Sequence, residues 1–540
     1  MPDKYVGTRK FTEGCFAIFL LMLSGVLGLS QVRTHTNSKR PAEPILVDLL
    51  LKGGKVVDGS GSEPRVLDVG IRGDRIVFIG EAARRGVRGR RVINVAGLVV
   101  APGFIDPHTH ALEDLSDSKR KGVENYLMQG VTTVFTGNDG GGPVRVAETL
   151  ELWRRQGIGA NAALLVGHGT VRDQVMKMSQ AAPSPAQLQE MKRLVAQAMD
   201  EGAFGMSTGL YYIPGSYAKT EEVVELAKVV AAKGGIYDTH MRDENSYSIG
   251  LLGSIRETIR IGREAKIPVH ISHIKALGRE VWGKSEEAIR LIKEARAEGI
   301  NVTANQYPYA ASGTSIAAAL IPRSADYGEG EQFFKNIEDP ATRARLLAEM
   351  EANMKRRGGA ESLLITSARD KRLVGKTLAE AARERGVPPT EAALQILKEG
   401  GDALASFNMS EHDIDNFMRQ DFVSTGSDGS AGHPRKYGTF PRKLREYVYR
   451  RKLISLPFAI RASSALTAEA CRVPERGLLN VGYFADVIVF DEKTIDDRAT
   501  YERPQVLAVG MRYVIVNGKI VIEGGRYNGT LNGRPLRKTL

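Results

Sequence analysis

Short apolar runs alternate with amphipathic stretches along most of the chain, and this alternation predicts the fold. Each run is rich in β-branched and other apolar residues, as expected of buried strands, and helical patterns occur between the runs. The eight predicted strands cover residues 98–105, 131–136, 162–166, 203–207, 235–239, 268–272, 301–305 and 421–425. Eight parallel βα units are typical of a closed (β/α)8 barrel, so the pattern predicts an α/β protein with a TIM-like barrel.

The helices between these strands are predicted from apolar spacing and from residues that begin or end helices. Ser184 followed by Pro185 is typical of a helix start, and apolar residues then recur at helical spacing. Thr220 is predicted to cap the next helix, which Gly234 ends. We expect these helices to pack around the barrel and assign them no chemistry.

The sequence outside the barrel predicts two further units. Alternating strands and turn residues in segments 46–99 and 462–530 predict one small β-sandwich built from both chain ends, with the barrel at 100–461. A helix-rich stretch at about 325–420 separates the seventh and eighth strands. It is too long for a simple connection, which predicts an inserted subdomain or lid.

Residues 1–40 precede the predicted domains and have the pattern of an export signal. Basic residues, Lys4 and Arg9 among them, come before an apolar run at residues 16–29, which ends among small residues such as Ser30. This pattern predicts a signal peptide cut near Ser30, and an uncleaved membrane anchor is the alternative. Either interpretation predicts a protein that is exported, to the periplasm or the medium, or anchored in a membrane by its N-terminus.

The composition is that of a globular protein: the chain of 540 residues is 42% apolar and 26% charged. The formal net charge of +12 raises the question of nucleic-acid binding, but the basic residues are dispersed and no basic–aromatic motif occurs. We interpret the charge as a surface and solubility property and expect no nucleic-acid partner. The cysteines are Cys15 and Cys471, so the chain has no disulfide framework.

Imidazoles and one carboxylate follow several of the predicted strands. His108 and His110 end the first strand, His240 ends the fifth, His273 follows the sixth and Asp428 ends the eighth. A His-x-His pair alone is a weak signal, because chance or hydrogen-bonded histidines explain it equally well. Five such groups at the C-terminal ends of strands in one barrel predict a shared divalent metal site at the barrel mouth.

A set of longer motifs extends from about residue 46 to 525. They are PGFIDPHTH, GVTTVFTGN, GHGT, STGLYYIPG, THMRDE, ISHIK, YPYAASGT, HPRKYGTFPR and GLLNVGYFADVIVFD. In these motifs the sequence resembles the amidohydrolase superfamily, and within it the N-acyl-D-amino-acid deacylases. HTH identifies the superfamily, whereas STGLYY, THMRDE and HPRKYGTFPR together indicate the deacylase branch.

The resemblance implies a metal centre and a general base. His240 and His273 would bind the main catalytic zinc, while His108, His110 and Asp428 would line an adjacent site for a second, weaker metal. Asp428 would also be the general base.

One position departs from the family pattern. The cysteine that ligates the metal in the family is Asp139 here. A carboxylate also binds divalent metals, so one or two ions are still expected, with Zn²⁺ or, at this harder site, Mn²⁺ or another ion. The glycines that follow Asp139 leave a flexible surface turn as the alternative.

The resemblance also implies residues that bind the substrate. Lys275 and Arg435 would lie near its carboxylate, and Tyr212 and Tyr307 would make further contacts. A planar guanidinium can bind a carboxylate through two hydrogen bonds. A surface salt bridge or a tyrosine at the edge of the core is the alternative for each. At Gly313, where the family has a serine, Ser312 and Thr314 flank the position instead.

The predicted activity is metal-dependent hydrolysis of the amide bond of N-acyl-D-amino acids, which releases a carboxylate and a free D-amino acid. The expected partner is a small molecule that bears an amide and a carboxylate. A dipeptidase acting on D- or β-linked dipeptides is an alternative that the sequence does not separate from a deacylase. A cyclic-amide hydrolase would need a carboxylated lysine on the fourth strand, where GAFGMSTGL has none. A non-catalytic relative would have lost ligands that this chain retains.

Overall fold

Eight parallel strands form the barrel that the sequence pattern predicts, and each pairs with its neighbours in chain order. They are Phe104–Asp106, Val131–Thr136, Asn161–Gly167, Gly205–Gly209, Ile236–His240, Val269–Ile271, Val302–Gln306 and Val423–Thr425. Hydrogen bonds beyond the ladder join the first and last strands. Asp106 accepts from the Ser427 N–H at 3.0 Å, and the His108 carbonyl accepts from the Asp428 N–H at 2.9 Å. The computed structural model describes residues 45–538 except 325, 326, 329 and 402.

The strand predicted at 98–105 is two strands in different sheets. Val99–Pro102 pairs with strands of the small sheet, and Phe104–Asp106 pairs with the second barrel strand. Gly103 makes the crossing, because its backbone passes so close to Thr132 that a Cβ would overlap that side chain. A continuous apolar run therefore hides a change of sheet that strand propensity alone does not reveal.

Helices surround the barrel strands, and the sequence explains how several of them begin. The Ser184 hydroxyl accepts from the Gln187 N–H, and the Gln187 side chain accepts from the Ser184 N–H. This capping box confirms the predicted start at Pro185. The cap predicted at Thr220 is wrong, because Lys219 occupies the cap position and the Thr220 hydroxyl donates to Glu257 instead. The helices are Leu112–Ser116, Glu124–Leu127, Val146–Gln156, His168–Met176, Pro185–Asp200, Thr220–Ala232, Gly250–Ala265, Ser285–Ala297, Glu411–Met418, Arg435–Arg442, Leu456–Ser463 and Ala465–Ala470, with a π-helix at Lys443–Arg450 and 3-10 turns at Gly215–Tyr217 and Arg279–Val281.

Both chain ends contribute to the small β-unit, as predicted. Its strands form one hydrogen-bonded sheet of nine, in which the N-terminal strand Leu46–Val56 and the C-terminal strand Val487–Phe490 both flank Val99–Pro102. Apolar side chains from both ends form a separate core there, with Leu51, Val69 and Val489 fully buried. The other strands are Arg65–Arg72, Arg75–Gly80, Arg88–Asn94, Met511–Val516, Lys519–Glu523 and Arg526–Tyr527.

The insertion between the seventh and eighth strands differs from the prediction in its bounds and content. It is built on a three-stranded antiparallel sheet of Ala311–Ser315, Leu363–Ser367 and Ala403–Phe407, so it begins and ends earlier than 325–420. The helix Glu411–Met418, counted in the insertion by the prediction, packs on the barrel helix Ser285–Ala297. The helices and 3-10 turns of the insertion are Ile316–Leu320, Gly330–Asn336, Pro340–Arg356, Ala360–Ser362, Lys371–Leu373, Leu378–Arg385 and Pro389–Lys398.

The N-terminal segment predicted to be a signal peptide or anchor lies outside the described residues. Among the residues that the structure describes, no helix combines the length and the apolar character needed to cross a bilayer.

Candidate active site

The C-terminal ends of the barrel strands open into a cavity of about 360 Å³. Side chains from the loops after most strands line it, and strand Ala311–Ser315 of the insertion forms part of one wall. Among the predicted site residues, His110, Asp139, His240, His273 and Asp428 all contribute to the lining. Catalytic groups in barrels of this kind gather at this end of the strands, so the cavity is the candidate active site.

Three histidines converge on the carboxylate of Asp139. Its Oδ1 lies 3.5 Å from His108 Nε2, 3.8 Å from His240 Nδ1 and 3.7 Å from His273 Nε2. Two ligands about 2.1 Å from one tetrahedral ion would be about 3.4 Å apart. These separations are slightly wider than that. His108, Asp139, His273 and Asp428 lie close enough to one another to hold one divalent cation.

Several of these buried polar atoms have no hydrogen-bond partner in the protein. Both ring nitrogens of His108, Nδ1 of His240 and Oδ1 of Asp139 are unpaired. Leaving a buried donor or acceptor unpaired costs about 1–3 kcal/mol. A metal ion would pair with one ring nitrogen of each histidine and with the Asp139 oxygen, so unpaired atoms in a cluster of imidazole and carboxylate groups fit a metal site.

Glu244 is a site residue that the sequence prediction missed. Its carboxylate lies 3.2 Å from His273 Nδ1 and 3.8 Å from His240 Nε2, so His240, Glu244 and His273 form a second group able to hold a metal. A carboxylate behind a histidine also fixes the direction of the ring. The signal was available, because Glu244 belongs to the THMRDE motif and follows His240 by four residues.

The backbone at the site adopts conformations that most residues avoid. Asp139, His273 and Asp428 have φ angles of 55°, 36° and 47°, in the left-handed region. Non-glycine residues there carry a cost that the surrounding structure must offset, and such residues concentrate at functional sites. His273 lies beyond its strand, which ends at Ile271, so the alternation of side chains along the strand does not set its direction.

The glycine-rich loop after Asp139 is closely packed rather than a loose turn. A Cβ at Gly142 would overlap the carbonyl oxygen of Leu165 in the third barrel strand. The Gly140 N–H donates to Ser207 Oγ at 3.1 Å, and the Gly140 carbonyl accepts from the Thr170 N–H at 3.1 Å. The loop therefore holds Asp139 against the third and fourth strands.

Asp428 is held ionised by a neighbouring guanidinium. Its Oδ2 lies 2.8 Å from Arg435 Nη1, and its Oδ1 lies 3.1 Å from His110 Nε2. Burial favours the neutral acid, but the charge of Arg435 outweighs it and holds the pKa of Asp428 well below its usual range. His433 fixes Arg435 in turn, because its Nδ1 accepts from the Arg435 N–H at 3.1 Å.

The residues predicted to bind substrate lie along the same cavity. Arg435 covers the Tyr307 ring at 4.6 Å, and the Tyr307 hydroxyl is buried without a partner. Lys275 Nζ lies 2.6 Å from Glu244 and 2.7 Å from His273 Nδ1. The Tyr212 ring packs against the His240 ring with centroids 4.7 Å apart. All four residues border the cavity, as do Ser312, Gly313 and Thr314.

The remaining predicted ligand, His110, is more exposed than the others. Its Nε2 lies 3.6 Å from Asp139 Oδ2, and its side chain is 40% exposed. Two histidines without a predicted metal role are paired elsewhere: His168 contacts Glu222 at 2.9 Å, and His270 contacts Thr303 at 2.8 Å.

Comparison with known proteins agrees with the barrel fold. A sequence model of the amidohydrolase family matches residues 91–522. The chain belongs to the amidohydrolase family. D-aminoacylase of Alcaligenes xylosoxydans xylosoxydans is 36% identical to this amidohydrolase over 519 residues, which cover 91% of this chain and 98% of that protein. The family resemblance expected from the motifs is therefore confirmed.

Solved structures are similar over the same length. A crystal structure of D-aminoacylase matches this amidohydrolase with a TM-score of 0.78 at 34% identity, covering 91% of this chain and 100% of that one. N-acyl-D-glutamate deacylase from Bordetella bronchiseptica, solved with zinc and a phosphonate mimic of the tetrahedral intermediate, has a TM-score of 0.78 at 31% identity and the same coverage. The predicted barrel fold is confirmed by these matches.

Proposed function

We propose that this amidohydrolase uses a divalent metal to hydrolyse the amide bond of N-acyl-D-amino acids, releasing a carboxylate and a free D-amino acid. The observation that carries the proposal is the cluster of His108, Asp139, His273 and Asp428 at the cavity, with His240 3.8 Å from Asp139. The activities of its relatives, D-aminoacylase and N-acyl-D-glutamate deacylase, support the same reaction.

His240, His273 and Asp139 are the proposed ligands of the main ion, and His108, His110 and Asp428 line the adjacent position. The unpaired nitrogens of His108 and His240 support this assignment. When bound, zinc or manganese supplies Lewis acidity, which polarises the amide carbonyl and lowers the pKa of a water molecule from about 15.7 toward about 7. Because Asp139 offers oxygen in place of sulfur, we expect the site to accept manganese as well as zinc.

Asp428 is the proposed general base. Its carboxylate is ionised at neutral pH, so it can take the proton from the attacking water and later deliver it to the departing amine nitrogen. Arg435 and the His108 carbonyl hold this side chain and its backbone in place. The loss of such a proton carrier costs about 10²–10⁴-fold in rate.

Arg435, Tyr307 and Lys275 are the proposed contacts of the substrate's α-carboxylate. The Tyr307 hydroxyl has no protein partner and can donate to an anionic oxygen. Tyr212 beside His240 is the proposed donor to the oxygen that becomes negative as the amide carbonyl is attacked.

A panel of paired N-acetyl-D- and N-acetyl-L-amino acids, assayed with zinc and with manganese, tests the proposal. We expect hydrolysis of D substrates at least about 100-fold faster than of their L partners, and a loss of about 10²–10⁴-fold in kcat for Asp428→Asn. His412→Ala, at an exposed position of the helix Glu411–Met418, is the matched control and should retain activity. Failure of both metals to support hydrolysis of any D substrate, or full activity of Asp428→Asn, would contradict it.

We further propose that residues 1–40 direct export of the protein, by a cleaved signal peptide or an N-terminal anchor. The support is the basic residues before the apolar run 16–29 and the small residues at its end. Mass spectrometry of protein from the native cell tests this. We expect a mature N-terminus near residue 31, whereas an intact N-terminus in the cytoplasmic fraction would contradict the proposal.

A further inference from the structure

A buried arginine in the cavity wall takes no part in the proposed chemistry. Arg357 follows the helix Pro340–Arg356 of the insertion, is 3% exposed and borders the candidate active site. Sequence motifs gave no indication of it, because it lies in the insertion. Its position brings a second guanidinium to the cavity, in addition to that of Arg435.

Only neutral groups accept hydrogen bonds from Arg357. Its Nε donates to the Ala319 carbonyl at 3.1 Å, its Nη1 to Ser406 Oγ at 3.4 Å and its Nη2 to the Tyr211 hydroxyl at 3.2 Å. A guanidinium has five N–H donors, so two remain after these contacts. Across the described residues, no acidic side chain forms an ion pair with Arg357.

Arg357 differs in this respect from the other buried arginines of the described chain. A buried charge without a counter-charge is costly, and proteins normally pair it with an opposite charge. Each of the other three contacts a carboxylate. The pairs are Arg172 with Glu222, Arg435 with Asp428, and Arg476 with Asp486.

The surroundings of Arg357 add positive charge rather than neutralising it. Arg323 covers the Tyr211 ring at 4.0 Å, and Arg356 lies over the Tyr247 ring at 5.6 Å. The Tyr247 hydroxyl, which borders the cavity, is buried without a partner and can act as a further donor. Lys275 differs from Arg357, because the Glu244 carboxylate lies 2.6 Å from its Nζ.

We propose that Arg357 and Tyr247 bind a second carboxylate of the substrate, so that the preferred substrates are N-acyl-D-amino acids with two carboxylates. This inference rests on the proposed function and names the substrate class for the same site. Arg435 and Tyr307 take the α-carboxylate, and Arg357 takes the other. The second carboxylate belongs either to an acidic amino-acid side chain or to a dicarboxylic acyl group, and both present the same anion to Arg357.

A purely mechanical role predicts different behaviour. Arg357 links the insertion, through Ala319 and Ser406, to Tyr211 after the fourth barrel strand. If it did only this, its replacement would lower stability and affect every substrate to the same extent. The ratio of kcat/KM for a charged substrate to that for its neutral isostere distinguishes the two roles, because only a binding role makes this ratio depend on Arg357.

The experiment compares kcat/KM for N-acetyl-D-glutamate and its neutral isostere N-acetyl-D-glutamine in wild type, Arg357→Met and Arg357→Lys. We expect the wild-type ratio to favour glutamate at least about 10-fold, and Arg357→Met to lower that ratio by about 10–100-fold, with partial rescue by lysine. Lys355→Met removes an exposed charge two residues away and should leave the ratio intact. The ratio of kcat/KM for N-succinyl-D-leucine to that for N-acetyl-D-leucine tests whether Arg357 binds a carboxylate on the acyl group. A wild-type preference for the neutral members of both pairs, or an unchanged ratio in Arg357→Met, would overturn the proposal.

A binding measurement keeps this test separate from the proposed reaction. If no N-acetyl-D-amino acid is hydrolysed, the proposed function fails, but thermal shifts with N-acetyl-D-glutamate and N-acetyl-D-glutamine still report on Arg357. Stronger stabilisation by the glutamate compound in wild type, lost in Arg357→Met and kept in Lys355→Met, supports the inference. Equal stabilisation by both compounds, or none by either, overturns it.

Discussion

His270 and His108 are both buried, but their ring nitrogens differ in what they contact. His270 is paired at both nitrogens, with Thr303 and Asn305, although it is as buried as the site histidines. His108 is paired at neither. Since a buried unpaired nitrogen is unfavourable, the contacts of His270 fit a role in supporting the barrel, and the unpaired ring of His108 fits a metal ligand.

Lys443 is a buried amine that provides a test at the residue scale. Its Nζ donates to Thr425 Oγ1 at 2.7 Å, and burial lowers the pKa of this amine from 10.5 to about 7. Between those values the unfolded chain binds a proton that the folded protein does not, so the contribution of Lys443 to stability rises with pH and is most unfavourable below about pH 7. Relative to Lys443→Met, the wild-type free energy of unfolding should therefore gain up to about 1.4 kcal/mol per pH unit above pH 7.

Urea unfolding of wild type and Lys443→Met at pH 7, 8 and 9 measures this difference. Lys293→Met, which replaces an exposed lysine on a barrel helix, serves as the control and should follow the wild-type slope. Parallel curves for wild type and Lys443→Met would show that the amine remains charged in the folded protein.

The sequence predicted most site residues but not their directions. His108, His240 and Asp428 could be placed because they follow apolar strands whose ends meet in a barrel. His273 required the family motif, since it lies after its strand with a left-handed backbone that no local pattern specifies. Arg357 could not be found at all, because its approach to the cavity depends on how the insertion packs.

Among the loops of the barrel, the one after the second strand positions the Asp139 carboxylate. Gly142→Ala would force its Cβ onto the Leu165 carbonyl, so the loop must shift. We expect a loss of about 1–3 kcal/mol in the free energy of unfolding and weaker zinc binding. At Gly141 the nearest atom to an added Cβ is the Asn138 carbonyl oxygen at 3.6 Å, so Gly141→Ala is the matched control.

Denaturation and zinc titration of both variants check this prediction. Equal zinc affinity in Gly142→Ala and Gly141→Ala would mean that the loop does not position Asp139.

The same packing explains why the sequence did not decide between a flexible and a closely packed loop. Repeated glycines are typical both of flexible turns and of close backbone contacts, and only the neighbouring strand distinguishes the two.

At the scale of the whole molecule, a buried polar network joins the small sheet to the start of the third barrel strand. Asp486 accepts from the Asn517 N–H at 2.7 Å, from Asn161 Nδ2 at 3.1 Å, and from Arg476. Asn161 lies at the opposite end of its strand from the cavity. Six residues of strand place it roughly 20 Å from the C-terminal end.

Asp486→Ala should therefore affect stability much more than catalysis. It leaves Arg476 buried without a counter-charge, which costs about 3–5 kcal/mol. Chemical denaturation should show this loss, while kcat/KM at 25 °C stays close to the wild-type value. Glu492→Ala breaks an exposed pair with Lys55 and should cost at most about 1 kcal/mol. A similar small loss in both variants would mean that the network does not hold the two sheets together.

We propose that imidazoles from separate strands and the Asp139 carboxylate share a metal ion. Anomalous diffraction from zinc-loaded crystals, recorded on both sides of the zinc edge, tests it most directly. We expect a peak within about 2.0–2.2 Å of Asp139, His240 and His273. No peak among these three residues in crystals of active, zinc-saturated protein would contradict it.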